Sequence, residues 1–490
     1  MDGVDALLKL LTRVKTNGWS EAFAGVSGGE NLQGVPIESY PPYSEPLFTL
    51  RQEMEQARFC LKALDDTRKR LRERLRALRK VSMPLVLEDG ITRLPDDVLA
   101  VIFQIGHHMR TPQRAVFPPI HMSHVSRRFR RVALQTPSLW ATIDNTFGES
   151  QTREFVSRSG RLDLEVKMHG ILDCPDTETF LKVLKDTSHR WSSFGIPDQE
   201  TYFLMIGLGI TDLPRLQHLN YRYANDLSTI GMPMLSRLKA WGWVLYAKSG
   251  FQTQLTHVEL DIWSDTVGIW ELAIALHGMT NLKDLSLTLD ECRVANESLP
   301  LDNIAFPKPR SVHIDRLAIS ILGEMRQYSA LLFDALMHLK PSAFEMSINS
   351  ETLDKFLFNS KLQLFPYSPV VKLYIPKGVD VIGVLLDLVR GCDIIRTVQF
   401  DTPIGGDLDN LQTRLLPDVD WERIRSLDYL RFINCDMFSE HALGSFATKF
   451  LRGQTESGSQ RLEIISCKKI SEDFLLGLED EFGDGLKWTL

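Results

Sequence analysis

One spacing recurs along the C-terminal part of this chain and limits the folds open to it. Leu216-x-x-Leu219-x-Tyr221, Leu255-x-x-Val258-x-Leu260, Leu282-x-x-Leu285-x-Leu287, Val370-x-x-Leu373-x-Ile375, Ile395-x-x-Val398-x-Phe400 and Leu427-x-x-Leu430-x-Phe432 share it. The last continues to Cys435 and Met437, and Leu462-x-Ile464-x-x-Cys467 matches the later half of the same template. Leu162-x-Leu164-x-Val166 reads as a first strand. Alternating apolar residues make a short strand with one buried side, and a cysteine can satisfy the turn that follows. Helix-like segments between the strands, Asp265–Leu276, Tyr328–Leu339 and Gly378–Val389, would return the chain to the same edge. The pattern predicts an irregular α/β solenoid, with another α/β fold as the alternative because the repeats are unevenly spaced. A solenoid of this kind exposes a continuous concave strand face and variable loops, which suits an extended protein surface. Tyr221, Tyr223, Trp241, Trp243 and Trp263 are candidate recognition aromatics or core residues.

The chain has 490 residues, enough for at least two structural units. Apolar residues make up 43% and charged residues 24%, which excludes a disordered chain, a collagen and a small disulfide scaffold. The longest apolar stretch, Val381–Val389, contains Asp387 and is too short to span a bilayer. Asp2 and Asp5 interrupt the amphipathic start of the chain, so a secretory leader is not expected. Six cysteines form no C-x-x-C pair and read as reduced thiols of an intracellular protein, cytoplasmic or nuclear. The net charge is −7, but residues 50–80 carry +6 and the remainder −13. A nucleic-acid partner is not expected from this balance.

Residues 18–46 hold five Gly and four Pro and are expected to be flexible, making 1–49 a mostly flexible N-terminal segment. Gly25-Val26-Ser27-Gly28-Gly29 formally matches a nucleophile elbow, but lacks the strand and helix that chemistry needs. Over 50–82, Leu50, Met54, Ala57, Leu61, Leu64, Leu71, Leu75 and Leu78 follow steps of four and three, broken at Arg68. The spacing predicts a coiled-coil-like helix whose stripe packs on another helix, with Pro84 ending it. Arg68–Lys80 contains eight basic residues and one acidic one, a solvated face, an import signal or a contact for an acidic surface.

Residues 91–143 carry the most specific signal. Leu94-Pro95-Asp96-Asp97 opens a helix with proline and aspartates in the first turn, and Val98, Leu99, Ile102, Phe103 and Ile105 line one face. A loop through Gly106, Pro112, Pro118 and Pro119 precedes a second helix, about His121–Leu134. It bears Val125, Phe129 and Val132 on one side and Arg127, Arg128, Arg130 and Arg131 on the other. Thr136-Pro137-Ser138-Leu139-Trp140 supplies a capping residue and starts a third short helix. Such a segment is either a helix-in-groove partner site or a self-contained helical subdomain.

The stretch Ile91–Ile143 resembles an F-box of the F-box-like fungal type. The resemblance rests on Leu94-Pro95 with Val98, Leu99, Ile102 and Phe103, then Val125-Ser126-Arg127-Arg128-Phe129-Arg130-Arg131-Val132-Ala133, then Thr136-Pro137-Ser138-Leu139-Trp140. Family members carry Cys where this chain has Ser126 and Trp where it has Phe129, and Gly106–Ile120 is longer than in a minimal F-box. The resemblance implies docking onto a Skp-type adaptor, and through it a cullin and RING ligase. Leu94, Pro95, Val98, Leu99, Ile102 and Phe103 would fill the adaptor groove, with Val125, Phe129, Leu139 and Trp140 contributing packing. F-box proteins with leucine-rich repeats use the repeats to choose a protein substrate, here 155–490. The expected class is an α+β multidomain protein: an N-terminal helix, a three-helix F-box, then an irregular leucine-rich-repeat-like α/β solenoid. The implied function is that of an SCF-type substrate adaptor; the alternative is an F-box scaffold outside a ligase, self-associating through the 50–82 helix.

No catalytic residue, cofactor or metal is expected. His107, His108, His121 and His124 lack cysteine or carboxylate partners in zinc-ligand register. Gly207-Leu-Gly209 lacks the third glycine of a dinucleotide fingerprint.

Overall fold

Period-two burial builds most of this molecule. The computed structural model describes residues 5, 8–9, 11–17, 44–108, 119–170, 176–222, 227–242, 250–263, 269–292, 311–323, 328–349, 358, 368–375, 380–403, 416–436, 438–451 and 460–489. The chain forms two units, Met1–Ile102 and Phe103–Leu490.

In the second unit, fourteen strands form one open parallel sheet in sequence order. They are β1 Thr142–Asp144, β2 Leu164–Lys167, β3 Trp191–Ile196, β4 His218–Tyr221, β5 Arg237–Trp241, β6 His257–Trp263 and β7 Asp284–Asp290. β8 Val312–Ile321, β9 Leu339–Ile348, β10 Val370–Tyr374, β11 Thr397–Asp401, β12 Tyr429–Ile433, β13 Arg461–Ile465 and β14 Leu486–Thr489 complete it. Parallel neighbours require a crossover, and among the described residues helices lie between many of the strands. The arrangement is α/β and solenoid-like. Apolar positions align across it without a break: Phe194, Leu219, Leu238, Val258, Leu285, Leu317, Phe344, Val371, Val398, Leu430, Leu462 and Leu486 are successive Cα partners. All twelve are buried. Towards the C-terminal end the row meets an aromatic cluster, Phe432 lying 4.9 Å from Phe438 and 5.9 Å from Phe446 between ring centroids.

The first unit holds helix α1, Ser44–Arg93, longer at both ends than the stripe over 50–82. The expectation that Pro84 ends it is corrected. Proline removes one amide from the helix, the partner of the Lys80 carbonyl. Strong helix formers on both sides, Lys80 and Met83 before it and Leu85, Leu87 and Glu88 after it, carry the backbone past the missing bond. Helix α2, Asp96–His108, crosses the division between the units, and α3, Pro119–Val125, and α4, Arg127–Leu134, follow. The helix expected over His121–Leu134 is therefore two, broken at Ser126. That residue is extended, and its Oγ accepts from the Phe129 amide at 3.1 Å, capping α4. The third helix is a single 3-10 turn, Pro137–Trp140. Thr136 does not cap it; its hydroxyl donates back to the Val132 carbonyl at 2.7 Å. The sheet begins at Thr142, inside the stretch read as F-box-like, and residues 155–490 take only part of the second unit.

Nine further helices among the described residues lie between strands: α5 Glu149–Arg158, α6 Thr177–Leu184, α7 Gln199–Leu208, α8 Ile269–Gly278, α9 Tyr328–Leu336, α10 Val381–Gly391, α11 Asp418–Arg425, α12 Glu440–Leu451 and α13 Glu472–Phe482. Gly207-Leu-Gly209 closes α7, Gly209 taking φ 73° as the left-handed cap. The turns after β7, β12 and β13 repeat one device. Glu291, Asn434 and Ser466 take φ of 49°, 53° and 53°, and each precedes a buried cysteine. Cys292, Cys435 and Cys467 donate to the strand carbonyls of Ile262, Ile433 and Ile465. The thiols serve the turns rather than chemistry, and a hydrogen bond with Cys467 together with burial pushes the Cys435 thiol up.

Candidate functional site

Two surfaces can meet a partner, one on the helices before the sheet and one on the sheet itself. Helix α2 starts where the Leu99 amide donates to the Pro95 carbonyl at 3.1 Å. Asp96 and Asp97 occupy its first turn, where the helix dipole favours them. Leu99, Phe103 and His107 fall at i, i+4 and i+8 and are buried. The other side of the same helix is apolar but open: Val98 is 40% exposed, Val101 50%, Ile102 46% and Ile105 50%. Pro95 and Val125 are also exposed, while Leu94 and Phe129 are half-buried. Leu139 and Trp140 are fully buried.

Four residues expected at a partner interface are thus internal: Leu99, Phe103, Leu139 and Trp140. The reason is visible in what holds them. Phe103 packs on Phe129 with ring centroids 5.0 Å apart, and Gln104 donates to the Ser138 hydroxyl at 2.8 Å. The Trp140 indole N–H donates to the Ala133 carbonyl at 2.8 Å. Its ring meets Phe155 edge-on at 5.0 Å, and the Arg158 guanidinium lies 4.4 Å from the ring centroid. Trp140 therefore joins α4 and the 3-10 turn to α5. On α2 the exposed apolar positions are Val98 and Ile102, with Val101 and Ile105 added. Those two additions share the 3.6 period of α2 with Val98 and Ile102, a signal the sequence already carried.

The sheet offers its other face to solvent. Lateral ion pairs cross the strands there: Arg316 Nη2 lies 2.6 Å from Glu345 Oε2, and Lys372 Nζ 2.8 Å from Glu345 Oε1. Burial would raise the Glu345 carboxyl, but the hydrogen bonds from Arg316 and Lys372 outweigh it and hold the group below the usual carboxylate range. Lys239 pairs with Glu259 on the adjacent strand. Between β4 and β7 a groove is lined by His218, Asn220, Arg237, Lys239, His257, Glu259 and Ser286. His218, Arg237 and His257 are successive register partners. Burial lowers the His218 pKa, and the adjoining Arg237 lowers it further. Trp241 stands at the edge, with Arg222 at 4.7 Å and Lys239 at 5.0 Å from its ring centroid.

Of the candidate aromatics, Tyr221 takes the core alternative: it is fully buried, because it occupies an inward position of β4. Trp263 is 56% exposed at the end of β6. Tyr223 and Trp243 lie outside the described residues, as do Ser27 and its glycines. The His108 side chain lies outside the described residues. His107 Nε2 lies 3.3 Å from the Thr142 hydroxyl, and His121 and His124 are exposed. Among the described residues no group of three His, Cys, Asp or Glu side chains could hold a metal ion, and no helix is long and apolar enough to cross a membrane. No protein-family model matches this chain, and comparison with curated proteins gives no match either.

Proposed function

We propose that this chain is a substrate-recognition adaptor of an SCF-type ubiquitin ligase. In this reading the F-box-like helices dock onto a Skp-type adaptor, and the leucine-rich-repeat-like sheet presents its polar face to a protein client. The observation that carries it is the two-sided character of α2. One side is locked by Leu99, Phe103 and His107, and the other leaves Val98, Val101, Ile102 and Ile105 open. An apolar helix side held rigid in this way suits insertion into a groove of a second protein. The chain then works by positioning, since effective concentration replaces catalytic side chains of its own. The compartment that fits is the cytoplasm or nucleus.

The test is capture of a purified Skp-type adaptor by the full chain and by a Val98→Asp, Ile102→Asp variant. Full burial of an aliphatic side chain stabilises by about 1.5–3 kcal/mol. Both residues are already about half covered, so the pair contributes about 2 kcal/mol, a loss of about 30-fold. Because both side chains point outward, the variant should retain the native circular dichroism spectrum. Adaptor capture by the variant equal to that of the native chain refutes the assignment. A second reading, a scaffold outside any ligase that self-associates through α1, draws on the open leucine stripe of that helix. It predicts a stable oligomer and no ubiquitylated client.

A further inference from the structure

Helix α1 carries a feature that the adaptor role does not use. Met54, Leu61, Leu64, Leu71, Leu75 and Leu78 lie along one side of it, between 45% and 62% exposed. From Met54 to Leu78 the stripe runs about 36 Å at 1.5 Å per residue. A single helix with an uncovered leucine seam gains its stability only when a second helix covers that seam. Charge provides a second and independent observation. From Arg68 to Lys80 the helix carries eight basic residues against Glu73 alone. Among the described residues none of those eight makes an ion pair.

We infer that α1 docks an acidic partner helix, one with a leucine seam flanked by glutamates or aspartates. The heptad register decides this. With Met54, Leu61, Arg68 and Leu75 at the first core position, Ala57, Leu64, Leu71 and Leu78 take the second. Arg58, Arg72, Arg79 and Arg74 then flank the seam, where interhelical charge pairs form. A second copy of this chain is a poor occupant in either direction. In parallel it sets Arg68 against Arg68 inside the seam and Arg74 against Arg79 beside it. Antiparallel, the row Arg51, Arg58, Asp65, Arg72 and Arg79 faces itself. A partner with carboxylates at its flanking positions meets the same arginines with attraction, and one acidic or amide residue opposite Arg68 satisfies the break.

The probe is a synthetic five-heptad peptide with leucine at both core positions and glutamate at both flanking positions, labelled for fluorescence anisotropy. Its counterpart replaces every glutamate by lysine. The full chain is expected to bind the glutamate peptide at least 100-fold more tightly than the lysine peptide. Leu64→Asp with Leu71→Asp should abolish that binding, Arg72→Glu with Arg79→Glu should reverse the preference, and added salt should weaken it several-fold. All four side chains are exposed, so the variants keep the fold. Equal binding of the two peptides overturns the inference. So does self-association of the chain that the Leu64/Leu71 variant removes, or tighter binding to anionic phospholipid vesicles or duplex DNA than to the glutamate peptide. None of these outcomes bears on Skp-type adaptor capture, which depends on residues 94–125.

Discussion

Replacing Trp140 tests whether the helices before the sheet and the first turns of the sheet form one cooperative unit. Trp140→Phe keeps an aromatic ring against Phe155 but removes the indole N–H donated to the Ala133 carbonyl at 2.8 Å. That carbonyl also accepts from the Thr136 amide at 3.3 Å, so it is not orphaned, and the loss is about 1 kcal/mol. The Arg158 contact at 4.4 Å weakens with the smaller ring, about 0.5 kcal/mol more. The unfilled volume adds about 1 kcal/mol, giving about 2–3 kcal/mol in all. Trp140→Ala should cost about 3–5 kcal/mol. The assay is native-state hydrogen exchange, because a sheet of fourteen strands in sequence order need not unfold in one step. The amides of Arg130 and Gln135, bonded within α4, report the change directly. Protection there should fall by roughly 30- to 150-fold in Trp140→Phe. Unchanged protection in α4 would show that Trp140 fills space without joining the elements, and the packing argument would fail.

His338 predicts an acid-side loss of stability. It is buried, its ring stacks 3.9 Å from His277, and burial lowers its pKa from 6.5 to about 4. The folded value lies below the unfolded one, so its contribution is complete above pH 6.5 and declines as pH falls towards 4. That loss amounts to about 2 kcal/mol after allowing for partial screening, and a His338→Phe variant should show a flatter denaturation midpoint between pH 6.5 and 4. The left-handed turns offer a paired comparison. Ser466→Gly should stabilise by about 0.5–1 kcal/mol, whereas Asn434→Gly should not. Asparagine tolerates that backbone, and the Asn434 side chain donates to Asp401 at 3.0 Å. Urea titration of the two variants checks the difference.

The recurring spacing is legible in seven of the strands. β4, β6, β7, β10, β11, β12 and β13 lie at the recurring spacing, and β2 at the strand expected over Leu162–Val166. β3 uses the same spacing with Trp191, Phe194 and Ile196, and β5 uses it with Leu235, Leu238 and Ala240. All six of those side chains are buried, although Trp191 and Ala240 depart from the leucine pattern in size. β8 keeps the same spacing at Ile314, Leu317 and Ile319. Within the helices, the apolar residues of α2 were legible as a set, but not which of them face inward.

The primary structure alone determined where side chains alternate, where α2 begins, and that α1 carries a seam beside a run of cations. Those are local rules, fixed by backbone geometry within a few residues. Tertiary structure decided the rest: the sequential parallel order, the burial of Leu99, Phe103, Leu139 and Trp140, and the Arg316–Glu345–Lys372 ladder across three strands. Each of those depends on residues brought together from distant parts of the chain. Burial is a property of the neighbours a side chain acquires, and a linear pattern does not contain them.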